Sequence, residues 1–225
     1  MKKTLFHLIL VALAVSSCAT ARYYGGFMPE KVGQDMALVG PVSAIYYLDE
    51  KNHETFNDTL STFSETLITN LIDEMGVPVS GRIELNDDEK EEAFAFLRYL
   101  SDQDDRRLDL FPIPGVLDEA LEAQGYRYGL LLVARGMTRD AKGYAKDALK
   151  GALLGVATAI LSMGTFVMYS TADPYSSEFY AVVLDSETNK TVFYNLTGPQ
   201  EKHPLRPDPV RKQLNKLLKD FLREN

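Results

Sequence analysis

Apolar residues at steps of three and four run from Phe56 through Leu60, Phe63, Leu67, Ile68, Leu71 and Ile72 to Met75, which predicts one apolar face of an α-helix. Gly76 follows at the position where helices commonly stop in a left-handed residue. A second helix is expected after Asn86, with Asn86 as its cap, an acidic first turn, and Phe94, Leu97, Tyr99 and Leu100 inside it. A third starts at Pro114 and ends at Gly125, and a fourth begins at Asp208-Pro209 with Val210, Leu214, Leu217, Leu218 and Phe221 on its apolar face.

Strand patterns lie between these helices. Residues 36–48 are apolar and β-rich, and Pro41 among them implies an edge position or a bulge. A short strand is expected over 77–85, with Gly81 as a candidate bulge. The unbroken apolar run at 128–137 reads as a central strand covered on both faces. Alternation over 179–185 and 191–196, around the polar Ser186 to Lys190, reads as a β-hairpin. The order strand, helix, strand, helix, helix, strand, hairpin, helix argues for an α/β fold, an α+β sandwich in which a small mixed sheet of about five strands is covered by helices.

The two ends of the pattern differ from this. Residues 1–17 read as an export signal: Lys2 and Lys3 precede an apolar stretch from Leu5 to Val15 that is too short to span a bilayer, followed by the small Ser16 and Ser17. Residues 18–35 hold Gly25, Gly26, Pro29 and Gly33 without periodicity and read as a tether. A single domain is then expected over 36–225.

Within that domain, residues 151–169 carry no charge, which makes them an apolar, glycine-rich helical insertion of near-transmembrane length. Gly151, Gly155, Ala159 and Gly164 are the candidate small-residue positions for membrane contact or self-association. Three readings stay open: a helix packed on the domain, a membrane-inserting or oligomer-forming segment, and a transmembrane helix.

Composition sharpens this picture at a few points. The chain is 45% hydrophobic and 25% charged, ordinary for a globular protein. Removing residues 1–17 takes away two lysines and moves the formal charge from −8 to −10. An acidic chain without a basic stripe argues against a nucleic-acid partner. Cys18 is the sole cysteine, which excludes disulfides within one chain and cysteine-rich metal sites.

The run Val15-Ser16-Ser17-Cys18 resembles the lipobox of bacterial lipoproteins. That resemblance implies a diacylglycerol on the Cys18 sulfur, cleavage just before it, and acylation of the new amine, which together hold a protein firmly on a membrane. Ala19 at the next position implies the outer membrane, with the domain facing the periplasm. The element order is also similar to that of a group of envelope lipoproteins that includes CsgG, LpoB and the N-terminal domain of TolB. This likeness implies a binding or assembly role among envelope components. In CsgG-like proteins insertions build pore hairpins, whereas residues 151–169 lack the alternation of barrel strands.

Catalytic patterns are missing. After the signal only His53 and His203 remain, each in a polar stretch, with no His-x-x-x-His or Glu-x-x-His pairing. Neither a Gly-x-Ser-x-Gly turn nor a phosphate-binding glycine loop occurs. The acids of 86–92 and 102–109 match no calcium loop and read as solvated faces. The sequence therefore leads to an expectation of a non-enzymatic envelope lipoprotein without cofactor or metal. Its expected partners are the membrane, through Cys18, and other envelope proteins, with homo-oligomers as a further possibility. The alternative is an oligomeric secretion or transport component using 151–169.

Overall fold

The structure, a computed structural model, describes residues 21–32, 35–49, 53–101, 111–139 and 175–222. The signal, Cys18 and the whole of 151–169, with Gly151, Gly155, Ala159 and Gly164, lie outside the described residues.

The described chain is an α/β fold built on one mixed sheet of seven strands. In chain order these are β1 (Arg22–Tyr23), β2 (Met36–Leu48), β3 (Glu54–Phe56), β4 (Gly81–Ile83), β5 (Tyr128–Arg139), β6 (Tyr175–Asp185) and β7 (Lys190–Gln200). Their order across the sheet is β1-β7-β6-β5-β2-β3, with β4 also on β2. β2 runs parallel to β5 and β4, and the other pairs are antiparallel. Four α-helices cover it: α1 (Asp58–Met75), α2 (Asp87–Ser101), α3 (Gly115–Gln124) and α4 (Pro207–Leu217).

Alternation along the strands divides the core in two. Met36, Leu38, Leu130, Leu132 and Phe179 face α1 and α4, where Ile68, Leu71, Leu214 and Leu217 meet them. Ala37, Val39, Leu131, Val133 and Val182 face α2 and α3, packing on Phe96, Leu97, Leu117 and Leu121. β5 feeds both layers, as its unbroken apolar run requires.

The helix ends follow local chemistry. Asn86 Oδ1 accepts the Glu89 N–H at 3.0 Å while Glu89 Oε2 accepts the Asn86 N–H at 2.7 Å, a reciprocal cap for α2. Gly76 and Gly125 end α1 and α3 at φ 68° and 74°.

Several expectations need correction. The sheet has two short edge strands beyond the five read from the pattern. One of them, β1, comes from the stretch expected as a tether: Arg22 and Tyr23 pair with Tyr194 and Phe193, and Pro29 and Val32 are buried. Phe27 packs on Tyr128, Phe193 and Phe221, so aromatic contacts give this stretch a fixed seat.

Pro41 sits in a bulge as expected, where the β2–β5 register shifts between Val39 and Val42, but not on an edge. On the other side of β2, β4 pairing ends at Val39 and β3 pairing starts at Tyr46, so Pro41 falls in a gap between two partners. The strand expected over 77–85 shortens to β4. Gly81 within it forms no bulge; it is small because the Tyr126 ring occupies the space a Cβ would take.

The apolar face of α1 is the largest difference. Phe56 belongs to β3 and is 50% exposed, and Phe63 is 54% exposed. The buried residues of the helix are Ser61, Ser64, Ile68, Leu71 and Ile72.

Candidate functional site

The gap beside β2 explains those buried serines. On the side where β4 and β3 pair, the backbone of Ser43 and Ile45 has no strand beside it, and unpaired buried amides are costly. Side chains of α1 take the place of a strand. The Ser43 N–H donates to Glu65 Oε1 at 3.0 Å, and the Ile45 N–H donates to Ser61 Oγ at 3.0 Å. The Ser61 hydroxyl in turn donates to the Asn57 carbonyl at 2.9 Å, and the hydroxyls of Ser43 and Ser64 meet at 3.1 Å. Asn57 closes the join, its N–H donating to the Ile45 carbonyl and its side chain capping Leu60.

In front of this join lies a groove of about 900 Å³, bounded by α1, α2 and the strands β2, β5 and β6. Its sheet wall is the carboxyl-terminal half of β2, with Ser43, Ala44 and Tyr46, and the middle of β5, with Val133 and Arg135.

Two charged pairs organise its walls. On the helix side, Glu65 Oε2 accepts from Lys90 Nζ at 2.9 Å, both side chains being largely shielded from solvent. On the sheet side, Glu178 of β6 is mostly buried, with Arg135 of β5 at 3.9 Å. Burial pushes the Tyr180 hydroxyl up to about 12, and the Glu178 charge and hydrogen bond add to it. Tyr180 therefore stays a neutral donor across the physiological range. Tyr46 and Phe56, also in its lining, stand edge to face at 6.0 Å, and the half-exposed Phe56 offers aromatic surface.

Ser43 and Ser61 have their hydrogen bonds committed to the fold, and neither histidine lines the groove among the described residues. His53 is an exposed neighbour of Asp49 at 3.3 Å. His203 stacks on Tyr175 at 4.2 Å, and burial, helped by the Arg206 charge, lowers its pKa. Among the described residues no three His, Cys, Asp or Glu side chains form a cluster fit for a metal.

No protein-family model matches the chain. No curated protein matches it either. Among solved structures, the chain is similar to the PelC dodecamer from Paraburkholderia phytofirmans, at 13% identity and a TM-score of 0.43, covering 92% of this chain and 99% of that one. A dodecamer of a point variant of the same protein is similar at 12% identity and a TM-score of 0.41, covering 91% and 98%.

None of the site residues named from the sequence, Cys18, Gly151, Gly155, Ala159 and Gly164, falls among the described residues. The groove came from no motif. Its residues run from Ser43 to Tyr180 and meet only through the sheet order. The one local sign was a pair of serines, Ser61 and Ser64, three apart in an otherwise good helix, where a polar stripe facing the sheet must serve hydrogen bonds.

Proposed function

We propose that this chain is a non-enzymatic cell-envelope lipoprotein. It is held on the outer membrane by lipid on Cys18 and uses its domain as a binding or assembly module for other envelope components. The observation that carries the binding role is the groove between α1, α2 and the sheet. Its walls present paired charges, a neutral tyrosine donor and aromatic faces, while its serine hydroxyls are spent on the fold. The address rests on Val15-Ser16-Ser17-Cys18 after a short apolar run.

Two measurements test this reading. Cys18→Ser should move the protein from the detergent-extracted membrane fraction to the soluble one without changing its circular dichroism. Retention of that variant would transfer anchoring to 151–169. A photo-crosslinking residue at Phe56 should capture an envelope component in intact cells. Hydrolysis of cell-wall or ester substrates by the purified lipid-free protein, abolished by Glu178→Gln, would overturn the non-enzymatic reading.

A second reading, an oligomeric component of a secretion or transport complex, is favoured by the spacing of Gly151, Gly155 and Ala159 in an uncharged stretch.

A further inference from the structure

The position of β1 restricts how the domain can stand on a membrane. Arg22, the first residue of β1, lies four residues after Cys18. Four residues reach about 14 Å at full extension. β1 is no loose lead-in: it pairs with β7, the Tyr24 N–H donates to the Val192 carbonyl at 2.9 Å, and the Tyr23 hydroxyl hydrogen-bonds Asp220. A chain lipidated at Cys18 has no slack to swing the domain freely, so the β1 edge stays close to the headgroups.

The surface at that edge suits such a position. Tyr23 is 41% exposed and Met28 43%, separated by an exposed turn at Gly25 and Gly26 in which both glycines have positive φ. Met28 and Tyr23 are two of only five large hydrophobic residues exposed among the described residues, and they fall on the one short segment nearest the anchor. Lys31 and Lys219 are exposed beside them, next to the exposed acids Glu30 and Asp220, on the 3-10 turns Pro29–Lys31 and Lys219–Phe221, which pack together. An apolar tip with a tyrosine, set in a rim of mixed and balanced charge, is the chemistry of a membrane interface.

We infer that the face formed by β1, the Gly25–Gly26 turn and the two 3-10 turns rests on the lipid surface, with Met28 entering the headgroup layer. The inference rests on the lipid anchor at Cys18. β3 stands five strand positions from β1, about 24 Å away at the usual strand spacing. Phe56, on the opposite edge of the sheet and in the lining of the groove, is thereby held off the membrane, facing the aqueous side.

The chain has no tryptophan, so a single introduced indole reports one position cleanly. Lipidated protein carrying Met28→Trp is reconstituted in phosphatidylethanolamine–phosphatidylglycerol vesicles with brominated acyl chains, and Phe56→Trp serves as the distal probe. The Met28→Trp emission should shift to the blue and be quenched by the brominated lipid, while the Phe56→Trp emission is unchanged. Vesicle flotation is read on the same samples. Protein that floats with an unquenched Met28→Trp probe, or with both probes quenched alike, overturns the orientation and leaves the anchor intact. Protein that fails to float although Cys18 is present refutes the anchor and the orientation with it.

Discussion

The carboxylate of Glu65 accepts the backbone N–H of Ser43 across 3.0 Å, so a helix side chain completes the hydrogen bonding of a strand whose partner strands leave a gap. The same carboxylate holds Lys90 with its second oxygen at 2.9 Å. One side chain thus joins β2, α1 and α2 and forms the floor of the groove. Ser61 repeats the device one step along β2, at Ile45. The groove is open because no strand fills this side of β2, and the fold survives the opening because α1 supplies the missing acceptors.

Removing Glu65 therefore strands a partly buried amide as well as a cation. Glu65→Ala is expected to cost about 1–3 kcal/mol of stability, the range for an acceptor lost from a shielded donor. Glu65→Gln keeps an acceptor for Ser43 and gives up only the ion pair with Lys90, worth about 1 kcal/mol or less for a partly exposed pair. Urea denaturation of the lipid-free protein measures the three forms. Equal losses in the two variants would show that the amide is indifferent to its partner.

Close packing on the other face gives a second expectation. A Cβ on Gly129 would lie 2.9 Å from side-chain carbons of both Val39 and Leu121, with β2 on one side and α3 on the other. Those neighbours are fully buried, and both must shift to admit it. Gly129→Ala should destabilise by about 1–3 kcal/mol, the usual cost of overpacking. Gly115→Ala, where nothing lies within 4 Å, is the control and should be close to neutral in thermal unfolding. A Gly129→Ala protein as stable as its parent would mean that α3 can move away from the sheet at no cost.

These two sites mark the limit of what periodicity can reveal. Helix ends were legible wherever one residue type decides them, as at Asn86, Gly76 and Gly125. β5 was legible because burial on both faces leaves an unbroken apolar run. Phe63 misled because hydrophobic spacing records which residues are apolar and is blind to a neighbour that needs acceptors. The β2 gap turned Ser61 and Ser64 inward and Phe63 outward. β1 and β3, two and three residues long, owe their existence to partners far along the chain and carry no period of their own. The groove was hidden for the same reason, since Glu65, Lys90 and Glu178 are ordinary surface residues until the sheet order brings them together.

His203 gives the domain a dependence on pH. Its Nδ1 accepts the Leu205 N–H at 3.1 Å, which requires that nitrogen to be unprotonated, and burial with the Arg206 charge holds its pKa below the ordinary 6.5. The unfolded chain then binds more protons than the folded one just below pH 6.5, so folding stability falls as the solution is acidified through that window and is fully present above it. Replacing the imidazole by an amide removes the titration. Stability of His203→Gln, measured by denaturation between pH 7.5 and pH 5, should decline less than that of the parent, by about one titrating group's share. A parent whose stability rises on acidification through this window would reverse the sign and contradict the assignment.

The reading of 151–169 as a self-association segment makes a separate prediction from sequence. Gly151, Gly155 and Ala159 recur at steps of four, and residues four apart on a helix share one face. Small residues there let two copies approach closely in lipid or in an apolar interface, and a leucine at the middle position holds them apart. Amine-reactive crosslinking in intact cells should give a ladder of homo-oligomers for the parent and a shortened ladder for Gly155→Leu. Ala157→Leu adds three of the same four carbons on the far side of such a helix and should leave the ladder intact. A parent that crosslinks only as a monomer, or a ladder that Gly155→Leu leaves unchanged, would remove this segment from assembly and leave the binding-module reading standing alone.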